Sequence, residues 1–426
     1  MLSESSVLNP VNGIKLKELT MITTKGREYD ILGIFGSIKI FENIRSDSIE
    51  ASLLLIDSQK ISSLFPIVGR ETVKIRFTND TNVGTFFDVD YFKEFDVVGI
   101  QSEDEPPGGS VSRTVLSLIS KPWLENTKIK ISKSYTGKNS EIVADILRTF
   151  FDSLDLEKYK LSHALSHLEE ESENSYTYIV PNITPFEFIH YLTTTTVSSI
   201  NKSTDYLFFE NRDGFHFASK YTLSQKEPKY KLNNSFNQRL SGVYDRDVLL
   251  ASNFVDHFDI VNCSDGIIGS TSYTHDLLNK KIIKNTLDYN TYRETVDSMN
   301  GGSIFVDDTF ETNDNFKFIY GINDNVYVDH PDNNFLLNRQ MEHKLGNLGT
   351  LEVTIAGNVD VLCGDTIVVN FQDALNKDRR TNVELDIFRS GKYMINSLCH
   401  EITPFEYYIH LELTKDSIMT TTKRLT

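Results

Sequence analysis

Paired histidines, carboxylate clusters and cysteines are the residues in this chain whose chemistry could build a site, and each pattern lacks a necessary part. His163 and His167 stand four apart, the spacing that sets two ring nitrogens on one helix face. No third ligand motif accompanies them, and a solvated helix face suits them better. His400-Glu401 opens like a zinc-protease motif, but the second histidine is missing and His410 lies too far along. Asp88-Val-Asp90 and the Asp/Asn-rich stretch 323–334 offer the oxygens that calcium takes. Neither has the glycine and terminal glutamate of a calcium loop, so both read as solvated loops. Asp265-Gly266-Ile-Ile-Gly269-Ser270 has two glycines of a dinucleotide loop without the preceding strand or the third glycine, so turn residues are the better reading. A glycosidase needs two positioned carboxylates, and with 60 acidic residues any pair can be picked, so none is singled out. Cys263, Cys363 and Cys399 are odd in number and have no CxxC spacing, which suits small buried side chains in a protein made in a reducing cytoplasm. The expectation is a chain with no catalytic, cofactor-binding or metal-ligating residues and no cofactor.

The bulk numbers say what must position whatever function remains. At 426 residues the chain exceeds a single hydrophobic core. Its 27 Phe and 19 Tyr favour packed β-structure over disorder. No apolar run reaches the length of a membrane span, and Met1 to Lys15 lacks the apolar core of a secretory signal. The net charge of −17, with no Lys/Arg stripe, argues against sequence-specific nucleic-acid binding; such a surface repels DNA.

Strand signals dominate both ends. Ser37 to Asn43, Glu50 to Ile56, the alternating Val73-Lys-Ile-Arg-Phe77, Phe86 to Tyr91, Phe95 to Ile100 and Arg113 to Ser120 suggest a small antiparallel barrel or sandwich. In the middle, Ile142, Val143, Ile146, Leu147, Phe150, Phe151 and Leu154 mark one face of a helix over Ser140 to Leu154. Thr184-Pro-Phe-Glu187 predicts a capped helix from Pro185 to about Thr194. Ile-Thr-Pro-Phe-Glu recurs at 402–406 between strands, where it reads as a turn. Tyr206 to Glu210 and Phe215 to Phe217, joined through Asp213-Gly214, predict a hairpin. Residues 240–345 read as an irregular α/β insertion, and Ser417 to Thr426 as a Thr-rich tail.

The two β-rich ends echo each other. Gly69-Arg-Glu-Thr-Val-Lys-Ile-Arg-Phe77 aligns with Gly364-Asp-Thr-Ile-Val-Val-Asn-Phe371: glycine, acid, threonine, then a strand ending in Phe. Aromatic-led strands follow, at Phe95-Asp-Val-Val98 and Tyr393-Met-Ile-Asn396, then closing strands at Val115 to Lys121 and Ile409 to Lys415. Any two antiparallel barrels share some of this; the sharper reading is a duplicated barrel. Three copies of a two-barrel chain would make a ring of six.

The order of motifs resembles that of the central hub proteins of T-even-type contractile phage baseplates. Gly357-Asn358, Gly364-Asp365-Thr366, Ser390-Gly391, Tyr393-Met-Ile395, His400-Glu401-Ile402 and Leu411-Glu-Leu413 resemble the second hub barrel. Ile40-Phe-Glu-Asn43, Leu55-Ile-Asp-Ser58 and Pro66-Ile-Val-Gly-Arg-Glu71 resemble the first. Pro181-Asn-Ile-Thr-Pro-Phe-Glu187 is similar to a helix start shared with the N-terminal hub part of type VI secretion spike proteins. The resemblance covers about 16–235 and 345–416.

It implies a β-rich α+β fold: two similar small antiparallel, tail-tube-like β-barrels with α/β domains inserted between them. The expected layout is a first barrel at 1–122, an α/β domain at 123–204, a second barrel at 205–245 plus 345–416, an α/β insertion at 246–344 and a tail at 417–426. The resemblance further implies a homotrimeric, pseudo-sixfold structural ring in the virion's tail baseplate. That ring would adapt the tail tube to a threefold cell-puncturing spike and form a channel for tape measure and DNA. Partners would be the spike, tail tube or tube-initiator proteins, the tape-measure protein and neighbouring wedge proteins. The chain carries no spike β-helix or lysozyme-like domain of its own, so a separate spike protein is expected. A tail-associated cell-wall hydrolase and a glycan-binding adhesin are the alternatives.

Overall fold

The computed structural model describes residues 14–57, 67–79, 90–104, 112–151, 172, 175–234, 249–256, 269–276, 280–289, 291–292, 296–302, 316–323, 333–346, 349–371 and 385–419. The N-terminal strands are β1 (Ile14–Ile22), β2 (Glu28–Asp30), β3 (Phe35–Asn43), β4 (Glu50–Asp57), β5 (Thr72–Asn79), β6 (Asp90–Asp104) and β7 (Ser112–Ser120). Alternation makes them: in β4, Ala51, Leu53 and Leu55 are buried while Ser52, Leu54 and Ile56 face the other way. Two separate strands were expected over Phe86 to Ile100. Instead one long β6 serves, because its halves pair with different partners: Asp90 to Asp96 with β5, and Phe95 to Asp104 with β7. Phe86 to Val89 lie outside the described residues.

The middle contains α1 (Lys121–Lys128), β8 (Ser134–Gly137), α2 (Asn139–Phe151), β9 (Tyr176–Ile179), α3 (Pro185–Thr195), β10 (Tyr206–Asn211), β11 (Gly214–Ser219) and α4 (Lys220–Gln225). The apolar stripe of α2 is buried as its spacing demands, at Ile142, Val143, Ile146, Leu147 and Phe151. The N-cap of α3 is a full capping box: Glu187 N donates to Thr184 Oγ1 at 3.4 Å, and Thr184 N to Glu187 Oε2 at 2.7 Å. The β10–β11 hairpin was expected within the second barrel. Among the described residues it forms a two-stranded sheet of its own, with Phe208, Phe215 and Phe217 packed with α2 and α3, and Phe209 and Ala218 in the main core.

The remaining elements are β12 (Tyr230–Asn234), β13 (Ala251–Asp256), β14 (Gly269–Asp276), β15 (Lys281–Asp288), β16 (Phe316–Asn323), α5 (Asn333–Leu345), β17 (Gly349–Ala356), β18 (Thr366–Phe371), β19 (Gly391–Ile402) and β20 (Tyr407–Lys415). Strands β14 to β16 form a three-stranded sheet within the expected insertion. β13 falls in the same span of sequence yet joins the large sheet through β17.

That large sheet has 13 strands, in the order β13-β17-β20-β19-β3-β4-β7-β6-β5-β1-β2, with β12 and β18 branching from β19. β19 pairs with β3, so the N- and C-terminal modules are consecutive stretches of one sheet over one apolar core. No ring of pairings closes either module among the described residues. β-rich α+β architecture is what the structure shows.

Candidate functional site

The strand plan occurs twice. Across the sheet, the N-terminal module runs β3-β4-β7-β6-β5-β1 and the C-terminal module β13-β17-β20-β19-β18-β12. Neighbours are antiparallel in both, except that β12 runs parallel to β18. The match extends to details. β6 carries one extra residue against β7 at Val98, and β19 one against β20 at Asn396. Gly69 and Gly364, in the loops before β5 and β18, have φ of +85° and +84°. Val97 N donates to Glu71 O at 2.9 Å, and Ile395 N to Asp365 O at 2.9 Å. Thr72 opposes Asp96 as Thr366 opposes Met394.

Where the modules meet, buried polar groups are gathered. Lys93 and Glu210 form an ion pair of 2.9 Å, with side chains 4% and 1% exposed. Glu210 also accepts from Ser120 Oγ and from Ile49 N, so one carboxylate of the β10–β11 hairpin ties down three places in the first module. The hairpin turn reaches the second module. Asn211 Nδ2 donates to Cys363 O at 3.1 Å, and the Arg212 guanidinium to Val359 O at 2.6 Å. Glu42, on β3, accepts from Arg212 N at 3.1 Å; burial pushes its pKa up to about 7, against the pull of Lys93 and Arg212. Phe77 stacks on Tyr91 at 4.7 Å between centroids, and His400 packs edge-on to both.

The opposite face of the sheet is mixed, with acidic side chains beside exposed Phe41 and Ile56. Strand alternation places Glu50, Glu352, Glu401 and Glu412 there, with Lys39 and His410. Lys39 and His410 each reach Glu401 at 2.9 Å, which holds its carboxyl below the usual range.

The chemistry-bearing residues of the sequence are not brought together. His400 and Glu401 point to opposite faces of β19. His400 is fully buried and shares a 2.8 Å hydrogen bond with the Tyr407 hydroxyl; burial, with the Arg212 charge, pushes its pKa down to about 3. Cys363 is buried and donates to Asn396 O, and Cys399 is half-buried. Asp90 pairs with Lys17, and Gly269-Ser270 begin β14. His163, His167, Asp88, Asp265, Gly266, Cys263 and most of 323–334 lie outside the described residues. The second Thr-Pro-Phe-Glu is the β19–β20 turn, where Thr403 N donates to Glu406 O at 2.9 Å. Among the described residues, no three His, Cys, Asp or Glu side chains converge as metal ligands.

Sequence reasoning passed over Lys93, Glu42 and Glu210. A signal existed for the first two. Tyr91, Lys93, Phe95 and Val97 share the inward phase of β6, and Ile38, Ile40 and Glu42 that of β3, so each charge occupies a core position of its strand.

No protein-family model matches the chain. A Vibrio phage KVP40 protein described as "Probable baseplate hub protein gp334" is 22% identical over 397 residues, 89% of each chain. The tail protein from Neisseria meningitidis MC58 shares the fold at a TM-score of 0.53 and 10% identity, over 95% of this chain and 97% of that one. The 43 kDa tail protein of prophage MuSo2 from Shewanella oneidensis does so at 0.56 and 9%, over 94% and 99%. Along nearly its whole length, then, the chain resembles a probable baseplate hub protein in sequence and two tail proteins in fold, as the order of its motifs implied.

Proposed function

We propose that this protein is the structural hub of a contractile phage baseplate: a homotrimer whose six modules form a pseudo-sixfold ring between the tail tube and a threefold spike. The repeated strand plan carries this reading. Two modules built alike in one chain let three copies offer six similar surfaces to a sixfold tube while keeping threefold symmetry elsewhere. The hub relative, similar over most of both chains, supports the assignment to a virion's baseplate; synthesis in the host cytoplasm belongs to the proposal alone.

The face with Glu50, Glu352, Glu401 and Glu412 is the natural wall of a channel for tape measure and DNA. An acidic wall repels a sliding polyanion instead of gripping it. The spike, the tail tube or its initiator, the tape-measure protein and the wedge proteins are the expected partners, and no catalysis is assigned.

Mass measurement of the full-length protein with and without its spike, followed by imaging of the assembled particle, tests the proposal. Three copies around a central channel, in at least the mixture with spike, are expected. A chain that stays monomeric in both, or a ring with six copies of this chain, overturns it.

A further inference from the structure

How one copy meets the next can be specified from the sheet itself, on the basis of the trimeric reading. Within the chain, the modules join along the half of β19 beyond its bulge, where Ser397 to Ile402 pair with Asn43 to Ile38 of β3. The corresponding half of β6, Gly99 to Asp104, pairs with β7 along one edge. Among the described residues no strand lies along its other edge. At the far end of the sheet, β13 holds the place of β3: Phe254 opposes Leu351 in β17 as Ile40 opposes Ala51 in β4. Its outer edge also has no strand among the described residues.

Matched positions differ in burial in the sense that a missing neighbour demands. Leu398 is 2% exposed, and Ile100 in its place is 39% exposed. Asn396 is 5% exposed, and Val98 in its place is 49% exposed. Ile38 is fully buried, while Ser252 in its place is exposed. Apolar side chains beside an open strand edge are what a folded chain avoids unless another strand covers them.

We propose that β13 of one copy pairs antiparallel with the distal half of β6 of the next, in the register of the β3–β19 join. Transposing that register sets Val255 opposite Gln101, Phe254 opposite Ser102 and Asn253 opposite Glu103. The contact is head-to-tail, and a head-to-tail contact closes a ring when its rotation matches. A contact between copies that repeats the join within each copy makes all six joins alike, and the ring closes if that join turns each module by about one sixth of a circle.

The test places cysteines at facing positions of the full-length protein during natural assembly, with all partners present. One variant carries Gln101→Cys with Val255→Cys, and a second carries Glu103→Cys with Asn253→Cys. Antiparallel neighbours lie within disulfide reach. Gln101 and Asn253 are exposed and Val255 is half-buried, so these changes leave the core intact. On oxidation, at least one double variant is expected to give a covalently closed three-copy species on a non-reducing gel. Single-cysteine variants should give none, and the shifted pair Gln101→Cys with Asn253→Cys should give about tenfold less. Three copies per particle by mass, without cross-linking in either facing pair, overturns this pairing and leaves the trimeric reading standing. The absence of any three-copy assembly overturns both.

Discussion

The two modules share a backbone and differ in what covers it. Counting back from each bulge, Lys93 of the first module stands where the second has Gly391. Lys93 is locked to Glu210 of the hairpin, whereas Gly391 makes room for Asn300, whose Oδ1 accepts from Lys392 N at 2.7 Å. Gly69 and Gly364 have nearly the same φ, but the first lies in an exposed loop and the second beneath Phe209 and Leu223. The acids beside those glycines diverge too. Glu71 accepts from the backbone N–H of Val68, Gly69 and Arg70, while Asp365 reaches Lys229 at 2.6 Å. Strand pairing fixes the path of the chain, and packing partners decide the side chains that fill it. A duplicated fold can therefore lose its sequence likeness while keeping its bulges and glycines.

The largest test of that contrast is the ion pair that joins Lys93 of the first module to the hairpin. Glu210→Ala should cost about 3–5 kcal/mol in denaturant unfolding, since it takes away the buried carboxylate that Lys93 faces. Replacing both, Lys93→Met with Glu210→Leu, should recover only part of the loss, because the stranded charge is removed while Ser120 Oγ and Ile49 N–H still lose their acceptor; an equal cost for the double change would show that those hydrogen bonds, not the charge, set it.

Glu42 comes next. Its folded pKa of about 7 lies above the ordinary 4.5, so the folded state holds a proton that the unfolded chain releases between those values. Stability from this group is full below pH 4.5, falls as pH rises to 7 and levels off above. Glu42→Gln should leave stability at about pH 4 nearly unchanged and raise it by about 3 kcal/mol at about pH 8, seen as a flattened stability–pH curve. A parallel shift at both pH values would contradict the buried-carboxyl account.

The smallest difference is between the paired glycines. A side chain at φ near +85° costs about 1 kcal/mol at either site. At Gly364 the added Cβ would also meet the Phe209 ring at 2.9 Å, while at Gly69 the nearest atom is 4.0 Å away. Gly364→Ala should therefore cost roughly 3 kcal/mol and Gly69→Ala about 1 kcal/mol by thermal or denaturant unfolding. Equal costs would mean that the hairpin does not press on the second loop.

Local patterns were readable where one segment contains the whole signal. The capping box at Thr184 and the turn at Thr403 depend on residues within a few positions. The glycine–acid–threonine echo was visible because both copies keep those three residue types within a few positions of the strand, although the first has Arg70 in addition. The join of β3 to β19 was not readable: its partners lie near opposite ends of the chain, and neither strand carries a mark that selects the other. β13 was hidden for a related reason. Phe254 packs against the main core while Ala251, Ser252 and Asn253 are exposed, so Ala251-Ser-Asn-Phe-Val-Asp256 has the polar composition of a loop. Glu210 lies in a strand buried along most of its length, where no alternation singles it out.

The extra residue at Val98 and at Asn396 has a consequence for how such a chain could arise. Beyond it, β19 keeps β20 on one edge and receives β3 of the other module on the second, and in the proposed contact β6 receives β13 of the next copy in the same way. If that contact forms, a gene that doubled end to end would need no newly invented contact surface, since each half would present a socket and a plug. Divergence could then concentrate in the segments threaded between, leaving the coupling itself untouched.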